Sequence, residues 1–138
     1  MKNRRICRGQ SLVEFALVFP LFFFMVTGLL DLGRAVFAYT TMNTAVREGT
    51  RFAIVQPKGT PDTDIEARVR SFFYDLEDFS DNSVVTISHV GDVDNPKINI
   101  HIVYAFEPIT PGMKLILSGG DPISIEAESE MFIAPIGK

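Results

Sequence analysis

Residues able to do chemistry are thinly spread along this chain. The most conspicuous is Glu14, the only ionisable side chain in the twenty-residue run from Ser11 to Leu30. A charge at the centre of a membrane-spanning helix costs about 2.5–3.5 kcal/mol on insertion scales. Glu14 lies near one end of the run, where its carboxylate can snorkel toward the arginines that precede it. Snorkelling accounts for its tolerance, but not for its position five residues past Gly9. Other candidates are weaker. His89 and His101 fall on neighbouring period-two segments, and two histidines without further ligands make a poor metal site. Asp92-x-Asp94-Asn95 has a faint likeness to a calcium loop, yet lacks the glycine at position six and the downstream bidentate glutamate. Ser118-Gly119-Gly120-Asp121 is a turn rather than a phosphate loop, because no Lys-Ser or Lys-Thr pair follows. No nucleophile–base pair is readable. The expectation is a protein that is not an enzyme and holds no metal or cofactor.

Charge is distributed unevenly. Lys2, Arg4, Arg5 and Arg8 supply four of the 13 Lys and Arg within the first nine residues, where no acid occurs. The remainder has 9 basic against 17 acidic residues, a formal charge of −8. An acidic body lacks the basic face that phosphates demand, so no nucleic-acid partner is expected. Cys7, inside the basic leader, is the only cysteine. The rest of the chain therefore has no disulfide and no thiolate metal site, and burial and hydrogen bonding must hold it. Its 138 residues suffice for one domain with a modest core.

The elements that carry these residues follow from periodicity. Residues 11–30 form a helix of roughly 30 Å, the thickness of a hydrocarbon core. Basic residues precede it and Asp31 and Arg34 follow it. The positive-inside rule puts the N-terminus in the cytoplasm and the C-terminal body outside, on a single pass through the bilayer. A secretory signal cut after Val36-Phe37-Ala38 fits less well, since the apolar core is long and two charges separate it from that site. Leu32, Val36, Tyr39, Met42, Val46, Gly49 and Phe52 recur at helical steps. The helix is thus predicted to continue to about Val55, ending before Gln56-Pro57-Lys58-Gly59. Pro20 removes one helix hydrogen bond and crowds the carbonyl of Ala16, which predicts a bend. Gly28 and Gly33 are not spaced as a close-packing pair. Arg47, Glu48 and Arg51 lie near one face, with Glu48 placed to pair with Arg51. They are candidate partner contacts, or simply a solvated face.

Thr60-Pro61-Asp62 reads as a helix start, with Thr60 as N-cap. Ile65, Val69, Phe72, Phe73, Leu76 and Phe79 form a stripe that predicts an amphipathic helix to about Asp78, its aromatics in a core. The pattern then switches to period two. Val84–Val90, Lys97–Phe106 and Ile123–Ile133 read as strands, the first two joined by the turn Gly91–Pro96. Ile98, Ile100, Ile102, Tyr104 and Phe106 share one face. Ile123, Ile125, Ala127, Ser129 and Met131 alternate with a wet face of Ser124, Glu126, Glu128 and Glu130. Met113–Leu117 fits a short strand or a helical turn. The fold class is α+β: a long N-terminal membrane-spanning helix, a second helix, and an antiparallel sheet of three or four strands.

A basic leader ending in Gly9, four residues, Glu14-Phe15 and an apolar helix together resemble a class III signal peptide. GQSLVEFALVFPLFFFMVTGLLDLGRAVFAY followed by AVREGTRFA extends the likeness. Over roughly the first 55 residues the chain resembles the TadE-like minor pilins and pseudopilins of tight-adherence (Flp) type IV pilus systems. Glu14, Phe15, Pro20 and the segment Arg47–Ala53 carry that resemblance, with Thr50 where the family often has alanine. Beyond them it is limited to a β-rich layout and the loose segment Tyr104–Pro108.

The resemblance implies a leader at residues 1–9, a helix at 10–56 with its span at 11–30, and an extracytoplasmic, pilin-like head at 57–138. It implies a prepilin peptidase that reads Arg8 and Gly9 and cuts before Gln10. It implies that Glu14 pairs with the new N-terminal amine of a neighbouring subunit. Each charge is costly alone in lipid, and pairing offsets much of both costs while fixing the axial register. The implied partners are other pilin and minor pilin subunits and the pilus assembly machinery, with the subunit in the cytoplasmic membrane or in the fibre. The alternative is a permanently anchored extracytoplasmic binding module, with Glu14 only snorkelling. The mature N-terminus separates the readings: Gln10 for the pilin, Met1 or Lys2 for the anchored module, Tyr39 for a secreted form.

Overall fold

The computed structural model describes residues 8–56, 60–73, 79–92 and 95–133. Most of the leader, Pro57-Lys58-Gly59, Leu76 to Asp78, and Val93-Asp94 of the expected turn lie outside the described residues.

Helix α1 runs from Arg8 to Val55, 48 residues with Pro20 inside, which is about 72 Å of helix. Residues 9–26 are all exposed and, beyond Glu14, apolar on every side. Leu17, Leu21 and Met25 are exposed, and so are Phe15, Phe22 and Leu29. An all-round apolar helix has no preferred face and needs an apolar surrounding. Beyond Leu30 the helix acquires two sides. Ala38, Met42, Ala45 and Val46 are buried in the core, and Gly49 and Thr50 are buried too. The predicted stripe divides here. Met42, Val46 and Gly49 lie within the packed side, whereas Leu32, Val36 and Tyr39 are exposed. The small residues Ala38, Ala45 and Gly49 lie on the buried side, and the larger apolar side chains of Leu32, Val36, Phe37 and Tyr39 are exposed.

Helix α2 spans Asp62–Arg70 and runs into a 3₁₀ turn at Ser71–Phe73. Pro61 holds the N-cap position with extended backbone, one residue later than the predicted cap at Thr60. The α-helix also stops short of the expected end near Asp78. Phe73 and Phe79 stack at 3.8 Å between centroids, and Phe79 stacks on Tyr104 at 4.9 Å. Phe79 instead opens α3, Phe79–Asn82.

Three strands follow: β1 at Ser83–Val90, β2 at Lys97–Phe106 and β3 at Ile123–Phe132. They form an antiparallel sheet in the order β1-β2-β3. Inward residues of β2 alternate strictly, with Ile98, Ile100, Ile102, Tyr104 and Phe106 all buried. Met113–Ser118 is helix α4, so three strands make the sheet. Gly112 and Gly119 bracket α4 with φ of 79° and 68°, left-handed values that only glycine adopts cheaply. The fold is α+β, with the core between the C-terminal half of α1, the helix α2 and one face of the sheet.

Candidate functional site

Gly9, Gln10, Glu14 and Phe15 all lie on the exposed part of α1. Gln10 and Glu14 are one helical turn apart, so their side chains share a face. No ion pair reaches Glu14 among the described residues. Phe15, Phe19 and Phe23 stack down one side at 5.3 and 6.4 Å between centroids. Helix α1 continues through Pro20. Further along, the Thr27 hydroxyl donates to the Phe23 carbonyl at 3.0 Å, which satisfies it without water.

Arg47, Glu48 and Arg51 stand on the opposite half of the molecule. Arg47 is 33 residues from Glu14, about 50 Å along the helix, so the two sets do not meet. Glu48 and Arg51 approach at 3.9 Å, with the Arg51 side chain 72% exposed. A pair that open contributes little to stability.

The histidines lie on paired strands but face carboxylates rather than each other. His89 Nε2 is 3.0 Å from Asp62 Oδ1, and His101 Nε2 is 3.6 Å from Glu126 Oε2. On the wet face that His101 shares, Lys97 Nζ meets Glu130 at 2.6 Å and Asn99 donates to Glu128. These three β2–β3 contacts are cross-strand pairs of the kind that fix sheet register, whereas the His89–Asp62 contact joins β1 to α2. Among the described residues no group of three or more His, Cys, Asp or Glu stands where it would hold a metal ion. At Gly91 the backbone turns with φ of 106°. The Asn95 N–H donates to the Asp92 carbonyl at 3.0 Å, a turn contact.

Two groups carry more of the structure than their residue types suggest. Asp31 is buried where α1 leaves its unpacked half. Its carboxylate accepts hydrogen bonds from the N–H of Ile109 at 2.9 Å and of Thr110 at 2.7 Å, and from Arg34 at 3.2 Å. Burial pushes its pKa up, but the Ile109 and Thr110 amides and Arg34 favour the charged form, and the net shift is downward. Arg34 also lies over the Phe106 ring, 5.3 Å from its centroid. Asp31 thus clamps the loop after β2 to the helix. The second group is Gly49 with Thr50. A Cβ at Gly49 would overlap Val69 Cγ2 and press on Ile100 Cδ1. The Thr50 hydroxyl lies 2.9 Å from the Val46 carbonyl and 3.1 Å from Ser129 Oγ. The hydroxyl ties α1 to β3 at a position where alanine would leave Ser129 without that contact.

No curated protein and no solved structure matches the chain. The family model of TadE-like protein matches residues 9–51, the stretch of the long helix from Gly9 to Arg51.

Proposed function

We infer that the protein is a TadE-like minor pilin or pseudopilin. It inserts in the cytoplasmic membrane by residues 11–30, is processed after Gly9 by a prepilin peptidase, and takes part in assembling a tight-adherence pilus. Its role is structural rather than catalytic, and its partners are other pilin subunits and the assembly machinery. The TadE-like match supports the association with that pilus. The observation that carries the reading is the division of α1. One uninterrupted helix is mostly apolar and exposed over residues 9–26, and its second half is built into the core of the head. Head and membrane segment are therefore mechanically one piece, as a subunit that transmits register from helix to head requires.

In this reading Glu14 pairs with the amine at Gln10 of a neighbour. Glu14→Gln keeps the shape and removes the charge. Processed protein is expected to accumulate in the membrane, while copurification with other pilin subunits falls about tenfold or more, equivalent to about 1.4 kcal/mol. Undiminished copurification would remove Glu14 from subunit pairing.

A further inference from the structure

We propose that α4 and the residue Ile109 enter the outer leaflet of the bilayer beside the span, giving the head a second membrane contact. The proposal rests on the reading of residues 11–30 as the span. Ile109, Leu115, Ile116 and Leu117 are 64–71% exposed although all are large and apolar. Their height along α1 is fixed by three contacts. Asp31, the first residue past the span, holds the amides of Ile109 and Thr110. The Met113 methyl packs over Gly28, 3.2 Å from where a Cβ would stand. Gly28 lies inside the span, two residues, or about 3 Å, short of its outer end. Whatever surrounds Gly28 therefore also surrounds α4.

The exposed surface of α4 is continuous with that of the span. Leu29 and Leu32 are exposed on α1 at the same level. Between the two helices lies an apolar cleft of about 240 Å³ lined by Gly28, Leu32, Ala35, Phe106, Met113 and Leu117, open to an acyl chain. The polar groups of this region sit where an interface needs them. Lys114 Nζ pairs with Glu107 Oε1 at 2.9 Å, and a lysine stem of that length reaches back to the headgroups. A short helix with apolar side chains and a flanking lysine is suited to lie in the boundary between headgroups and chains.

The test uses the full chain in a Cys7→Ser background, reconstituted in phosphatidylcholine vesicles at low protein density. An environment-sensitive fluorophore is attached at Ile116→Cys, with Leu21→Cys as the span control and Glu128→Cys as the exposed-sheet control. Nitroxide lipids then report depth. The expected result is quenching at position 116, stronger with a shallow than with a deep nitroxide. Position 21 shows the reverse order and position 128 shows none. Quenching at 21 without quenching at 116 overturns the proposal and leaves the span standing. Shielding of 116 that appears only when protein is crowded assigns the surface to a second copy, and also overturns it. Absence of quenching at 21 removes the span reading and the proposal with it.

Discussion

Asp31 shows how one carboxylate can join two regions of a fold. Its partners are mostly backbone amides 78 and 79 positions away. Their hydrogen bonds favour the ionised form and hold its pKa below the ordinary carboxylate value, although burial opposes them. The sign of the pH dependence follows. The stabilisation is fully present above the unfolded pKa of about 3.9, and it is lost as pH falls through the lower folded value. Hydrogen-exchange protection at Ile109 and Thr110 is therefore expected to collapse in acid before that of Ile100. Asp31→Asn should weaken protection at those two amides at neutral pH and cost about 1–3 kcal/mol in urea unfolding. Equal protection in the variant would mean that Asp31 does not hold the loop. Gly49 makes a different demand, for space. Gly49→Ala must displace Val69 or Ile100, both fully buried, and overpacking of that kind costs about 1–3 kcal/mol. The same unfolding measurement reads it. Neither role was legible in the sequence. Asp31 reads as a charge ending a span, because backbone amides leave no signature in residue types. Gly49 reads only as one step in a helical stripe and one letter of a family pattern.

At the scale of elements, legibility followed the strength of the local pattern. Strand β2 was predicted with its observed bounds, because five alternating apolar residues leave one register that buries them all. The end of α1 at Val55 was marked by the Pro57 and Gly59 that follow. The end of α2 was not legible. Its aromatic stripe keeps helical spacing through Phe79, yet the rings of Phe73 and Phe79 stack on each other and on Tyr104. The α-helix gives way to a 3₁₀ turn at Ser71–Phe73, where the stripe still keeps helical spacing. Residues 113–117 fit two templates, and only the flanking glycines in left-handed conformation decide for helix. Phe79 is the element-scale test. It is 1% exposed and sits between two rings. Phe79→Ala is expected to cost about 3–5 kcal/mol and to free the segment between α2 and β1 for proteolysis. A loss well below that range would mean that the stack does not anchor the segment.

For the whole molecule, the balance of surface types sets the account. The chain carries an acidic body on a helix whose residues 9–26 are all exposed and mostly apolar. An apolar surface of that extent is unstable in water, and a bilayer or a bundle of like helices removes it from water. Charge alone gives the expectation that the basic leader lies in the cytoplasm, and the role proposed for Glu14 comes from the resemblance to TadE-like proteins. The match over residues 9–51 lies on that helix. The reading of the chain as a processed pilin subunit is decided first by the N-terminal peptide of the membrane-bound protein, by mass spectrometry, from cells that contain a prepilin peptidase. It requires a chain beginning at Gln10, and an unprocessed but inserted chain for Gly9→Ala. A native chain beginning at Met1 or Lys2 would contradict it, and would leave a permanently anchored module in which Glu14 is a tolerated charge at the membrane edge.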